Sequence, residues 1–180
     1  MRHCFLLGLI LLGGAVALRA SPLAGLWRLE PDRSTDLPAW EALDLDIQVQ
    51  GQVVTITRKF AAGRRTFEDV AAVDLAKPFT VVPVAWWPDN RHIGAYIGGD
   101  KTERLHGEWV DGGRVFRLTV DLVLATQQGS HPVNILSQYT VSTNGRQLTL
   151  IELRSTRNRP VTYVFRRIAA AEARSTGAAE

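Results

Sequence analysis

The sequence predicts an all-β protein, an antiparallel up-and-down meander of about 8–10 strands that closes into a barrel. Period-two alternation of apolar and polar residues dominates after residue 40. Tight-turn sequences separate the alternating runs at short intervals, and no amphipathic helix of normal length interrupts them. One apolar and one wet face per strand suit a single sheet curled on itself, and closure removes edges that would pair with other chains. A two-sheet sandwich has the same periodicity and is the alternative. A membrane-spanning barrel would turn its apolar face outward between aromatic girdles. The long polar faces and non-aromatic C-terminus argue against that.

The elements follow in order. Leu43, Leu45, Ile47 and Val49 alternate with Asp44, Asp46, Gln48 and Gln50. Gln50-Gly51-Gln52 turns the chain into Val53 to Phe60, with Val54, Ile56 and Phe60 on a shared face. Ala61 to Arg65, containing Gly63, turns it again into Thr66 to Leu75. Thr102 to Val110 reads as a strand that stops at Asp111-Gly112-Gly113. Arg114 to Ala125 is the cleanest strand: Phe116, Leu118, Val120, Leu122 and Leu124 line one side, and Arg117, Thr119 and Asp121 the other. A loop over Thr126 to Pro132 leads to Val133–Ser142, and Asn144-Gly145 is a primed hairpin turn. Gln147 to Ser155 and Val161 to Ile168 form the last pair. A short turn is expected around Pro38 to Leu43, and 169–180 as a flexible tail.

Phe79 to Trp87 breaks the pattern, because both of its faces are apolar. Pro83 cannot donate to a ladder and belongs at an edge or bulge. Such a segment needs a cover, which could be a lid, a bound apolar molecule, or a protein partner or second copy docking on Phe79–Trp87. Trp86-Trp87-Pro88-Asp89-Asn90-Arg91-His92-Ile93-Gly94-Ala95-Tyr96 follows as an aromatic edge or lid rather than catalytic machinery.

Residues 1–20 read as a secretory signal peptide: a basic start at Arg2 and His3, an apolar run from Cys4 to Leu18, then small residues for cleavage. The run is shorter than the roughly 18–20 residues that span a bilayer, so no membrane span is expected after cleavage. Residues 21–168 are the barrel domain, expected to be secreted or periplasmic. Losing Arg2 and Arg19 leaves 19 basic against 18 acidic residues. With no basic run interleaved with aromatics, nucleic acid is not an expected partner. Cys4 is the sole cysteine, so the mature domain relies on its hydrophobic core rather than on disulfides.

The mature chain opens with Gly25-Leu26-Trp27 and ends its last strand with Tyr163-Val164-Phe165-Arg166-Arg167. This pairing resembles the lipocalins and related calycin barrels, and the layout resembles bacterial secreted lipocalin-like domains of uncharacterised function. The resemblance implies that Trp27 plugs the closed end beside Gly25 and that Arg166 or Arg167 packs across it. Standard lipocalins also carry a Thr-Asp-Tyr-type motif and a long C-terminal helix, both missing here.

Chemistry is sparse. His106 and Glu108 share a strand face, but no third ligand is signalled for a metal. Ser130-His131 lacks the setting of a nucleophile. Neither a cofactor nor a catalytic constellation is expected. Glu152 and Arg154 interrupt the apolar face begun by Leu148 and Leu150. An inward Arg154 near Tyr139 would resemble the anchor of fatty-acid-binding barrels, yet an exposed strand end is preferred because buried charge is costly. Trp109 reads as core or rim packing. The expected function is binding of a small apolar or amphipathic molecule, with Trp86, Trp87, His92, Tyr96, Trp109, Tyr139 and Arg154 as candidate ligand contacts. The alternative is an interaction module with a filled core. An interior cavity of several hundred Å³, about ligand size, separates the two.

Overall fold

Eleven strands form one antiparallel sheet that curls into a nearly closed barrel. The computed structural model describes residues 21–35, 40–84 and 96–175. The strands are β1 (Gly25–Leu29), β2 (Ala42–Gln50), β3 (Val53–Ala62), β4 (Arg65–Asp74), β5 (Thr80–Pro83), β6 (Tyr96–Ile97), β7 (Thr102–Val110), β8 (Val115–Thr126), β9 (Gly129–Val141), β10 (Gln147–Arg154) and β11 (Val161–Ile168). The hydrogen-bonded path runs β4-β3-β2-β1-β11-β10-β9-β8-β7-β5, with β6 paired to β8. Sequential strands pair as hairpins from β1 to β4 and from β7 to β11, whereas β5 pairs with β7 and β1 takes β11 as its second neighbour. Among the described residues no helix is long and apolar enough to cross a membrane.

The alternation that predicts the strands also fills the interior. Leu43, Leu45 and Ile47 of β2, Val54 and Ile56 of β3, the Phe116-to-Leu124 row of β8, and Leu148 and Leu150 of β10 are all buried. Two boundaries differ from expectation. β9 starts at Gly129, so the loop before it is shorter, because Gly129 to Pro132 continue the ladder with β8. The region after Ile168 contains a helix, α1 (Ala170–Ser175). Glu172 ties it to the barrel by pairing with Arg166 (2.5 Å) and Arg28 (3.5 Å). Arg28 in turn makes a two-pronged bond to Asp44, its registered neighbour on β2.

At one end the barrel is shut by Trp27, which is fully buried and donates from Nε1 to Leu23 O at 3.0 Å. The Arg167 guanidinium lies 4.0 Å from the indole centre. It also donates to the carbonyls of Pro22 (2.5 Å), Ala24 (2.8 Å) and Gly145 (2.8 Å). Gly25 has φ +142, and a Cβ there would lie 2.3 Å from Arg167 Nη1. Only glycine lets that guanidinium approach so closely.

The barrel does not close completely. β4 and β5 terminate the path, and no ladder joins β4 to β7 among the described residues. Near the shut end, side chains bridge this seam. A Cβ on Gly107 of β7 would meet Leu75 Cδ2 at 2.8 Å and Val73 Cγ1 at 3.1 Å. Gly107 thus makes room for Val73 of β4 and for Leu75 just after it, which cover the gap.

Candidate functional site

Period-two geometry carries polar groups as well as apolar ones to the interior. Arg58 follows Val54 and Ile56 on the inward face of β3, and Asp69 precedes the buried Ala71 and Val73 on β4. The two are registered partners, joined by Arg58 Nε to Asp69 Oδ2 at 2.7 Å. On β7, Glu103 precedes the buried Leu105 and is itself 7% exposed. On β9 and β10, Ser137 faces Glu152 in register. Arg154 holds Glu152 from Nε at 3.0 Å, and the two side chains are 8% and 5% exposed.

The expectation that Glu152 and Arg154 are solvated at a strand end is therefore wrong. β10 runs straight through the wall and carries both groups inward, where each charge compensates the other. Tyr139 is buried nearby and feels the field of Arg58 first and that of Glu152 next.

These side chains surround a cavity of about 30 Å³, lined on its polar side by Arg58, Asp69, Glu103, Ser137 and Glu152 and on its apolar side by Leu118, Val120 and Ile135. It is large enough for about one or two waters and far smaller than a drug-sized pocket. Among the described residues the interior is thus nearly filled at this level. A larger open recess, about 330 Å³, lies at the end away from Trp27, lined by Leu124, His131, Val133 and Thr156. The registered pair Leu122 and Val133 stands between the two spaces.

The electrostatics are uneven. Desolvation opposes the Arg58 charge, but Asp69, Tyr139, Glu152 and Glu103 outweigh it and raise its pKa. Burial pushes the Glu103 carboxyl above its ordinary pKa; Arg58 draws it back and Asp69 pushes it up again. Burial likewise raises the Tyr139 phenol. Glu103 makes no hydrogen bond or ion pair with any described residue.

Folding therefore favours the protonated form of Glu103. That contribution is complete in acid and is lost as pH rises through the raised pKa. Glu103→Gln is expected to raise Tm by a few degrees at pH 8, where about 1 kcal/mol moves Tm by roughly 2–4 °C. The gap should vanish near pH 4. Parallel melting curves across that range check it, and a pH-independent gap would refute it.

Other candidates lie apart from this chamber. Trp109 packs on Phe116 at 5.0 Å between ring centres, and Phe116 on Tyr139 at 6.1 Å. Tyr96 is 71% exposed on β6. Arg166 points outward to Glu172, whereas Arg167 covers Trp27. His106 is exposed and meets Pro78 O at 2.7 Å, while Glu108 pairs with Arg117 at 3.0 Å. Trp86, Trp87 and His92 lie outside the described residues. Among the described residues no group of three or more His, Cys, Asp or Glu is placed to hold a metal.

Sequence reasoning missed Arg58, Asp69 and Glu103. It also missed Trp40, which packs against Phe60 (5.4 Å) and Phe67 (6.5 Å) where β3 turns into β4. Parity along β3, β4 and β7 was the available signal for the charged three.

No protein-family model and no curated protein matches the chain. Among solved structures it is similar to secretory abundant heat soluble protein 4 from Ramazzottius varieornatus, at 9% identity and TM-score 0.50, over 83% of this chain and 96% of that one. A second secretory abundant heat soluble protein from that organism, from a dimer sample, gives 10% identity and TM-score 0.51 over 83% and 98%. A fatty-acid-binding protein from Manduca sexta gives 9% identity and TM-score 0.44 over 81% and 99%. The likeness is one of fold, a lipocalin-like β-barrel.

Proposed function

We propose that this lipocalin-like barrel binds a small apolar or amphipathic molecule and acts without catalysis, as a protein exported to the cell envelope. The observation that carries this is the charged chamber inside an otherwise apolar barrel. A purely structural interior has no use for these groups, since buried ion pairs are often replaceable by apolar side chains without loss of stability. Buried charged side chains converging on one cavity mark a candidate site. The polar groups would orient one end of the ligand. The open recess beside Leu124 and Val133 would desolvate the rest, at about 0.8 kcal/mol per buried CH₂. The leader pattern in residues 1–20 supports export.

The test is native mass spectrometry of protein purified from its own cells, with chemical identification of any co-purifying mass and N-terminal sequencing of the mature chain. The expected result is a reproducible bound species on a chain that starts near Ser21. A ligand-free spectrum, together with no thermal shift across a panel of lipids and amphiphiles, would defeat the binding reading.

A second reading, the interaction module with a filled core, is favoured by one observation. Beside the nearly filled interior, the terminal strand β5 and its approach expose Phe79 (43%) and Val81 (51%). A ligand-free spectrum combined with concentration-dependent dimerisation that Val81→Glu abolishes would support it.

A further inference from the structure

We propose that the chamber takes a primary ammonium head group in preference to a carboxylate; this rests on the small-molecule reading above. Two cations face three carboxyls around the chamber, and both cations are already committed. Arg58 is held by Asp69, its registered neighbour, and Arg154 by Glu152. An incoming carboxylate would have to break one of these pairs and leave a carboxylate buried without a partner, which is strongly unfavourable. The remaining carboxyl, Glu103, lines the cavity, is more than nine-tenths buried, and has no hydrogen bond or ion pair among the described residues. It is the one charge in the chamber that a ligand can satisfy without displacing anything.

The shape of the space narrows the class. The cavity of about 30 Å³ accepts a group the size of water, as an ammonium is, but not a quaternary ammonium with its methyl groups. A primary ammonium also has three donors. Glu103 can accept one, and the Ser137 hydroxyl and the Glu152 carboxylate also line the space. The recess of about 330 Å³, the lower end of the range for small-ligand sites, would take the alkyl chain once the buried Leu122 and Val133 side chains between the two spaces move aside.

The experiment compares decylamine, decanoate, decanol and decyltrimethylammonium, each below its micellar concentration, by calorimetry and thermal shift on the full-length mature protein at pH 7.5. Decylamine is protonated there, as a lysine side chain is. The expected order places decylamine at least about tenfold tighter than any of the others, a difference of 1.4 kcal/mol. Glu103→Gln, a variant of the same shape whose fold is checked by circular dichroism, should reduce decylamine to the level of decanol and leave decanoate unchanged. Decanol or decanoate binding as tightly as decylamine to the wild type overturns the head-group assignment while the binding barrel stands. So does an undiminished decylamine affinity in a folded Glu103→Gln. Failure of all four to bind overturns both. The wild-type series decides the matter even if the variant fails to fold.

Discussion

Arg154→Met is expected to destabilise the barrel by about 3–5 kcal/mol, because it strands the Glu152 carboxylate in the interior. At roughly 2–4 °C per kcal/mol, Tm should fall by roughly 6–20 °C. The expectation comes from the burial of both side chains and the short contacts between them. Among the described residues Glu152 has one further hydrogen-bond partner, the Ser137 hydroxyl at 3.5 Å, too distant to replace a guanidinium. The double variant Glu152→Leu/Arg154→Met removes both charges and should recover most of the loss, since an apolar pair of similar volume often equals or exceeds a buried ion pair. Chemical denaturation of wild type, both single variants and the double variant closes the cycle. A mild Arg154→Met, below about 1 kcal/mol as for an exposed pair, would show that water reaches the pair and that the chamber is open.

Trp27→Ala should cost about 3–5 kcal/mol, the usual range for deleting a large buried aromatic. Three losses combine at this position: the filled volume at the shut end, the Nε1 bond to Leu23 O, and the stacking of Arg167. Trp27→Phe keeps most of the packing and should cost less than half as much. Arg167→Lys should rank between wild type and Trp27→Ala. Lysine retains the charge but cannot spread planar donors over the carbonyls of Pro22, Ala24 and Gly145. Urea midpoints for the three variants check the ranking. If Arg167→Lys proved indistinguishable from wild type, the cap would owe its stability to charge rather than to planar geometry.

Much of the fold was legible because alternation is strong wherever one face is dry. The row from Phe116 to Leu124 fixes β8, and Asn144-Gly145 marks the hairpin after β9. That turn is not the two-residue primed one expected, since residues 142–146 connect the strands and Gly145 has positive φ while Asn144 does not. Alternation also chooses between the two terminal arginines. Val161, Tyr163, Phe165 and Arg167 share a parity on β11, and Arg167 is registered opposite Trp27. The chamber was harder to see because charged residues at inward positions look like breaks in a pattern rather than members of it. Arg58 lies between the inward Ile56 and Phe60, and Glu103 lies two residues before Leu105. Following parity through polar residues would have found both. For Glu152 and Arg154, the cost of burying each charge singly argued for the surface, and their mutual pairing reversed that balance. The seam between β4 and β7 leaves no trace in periodicity. It depends on how far two strands distant in sequence are held apart, and on Gly107 receiving Val73 and Leu75.

The insertion of β1 between β2 and β11 sets the order of events in time. Leu26 is registered with Ile168 and Trp27 with Arg167, so the first strand waits for the last before its second edge is satisfied. No nascent or truncated chain ending before β11 can cap Trp27, and until then β1 offers an open edge to any passing strand. Such long-range closure slows folding relative to a chain built from local contacts.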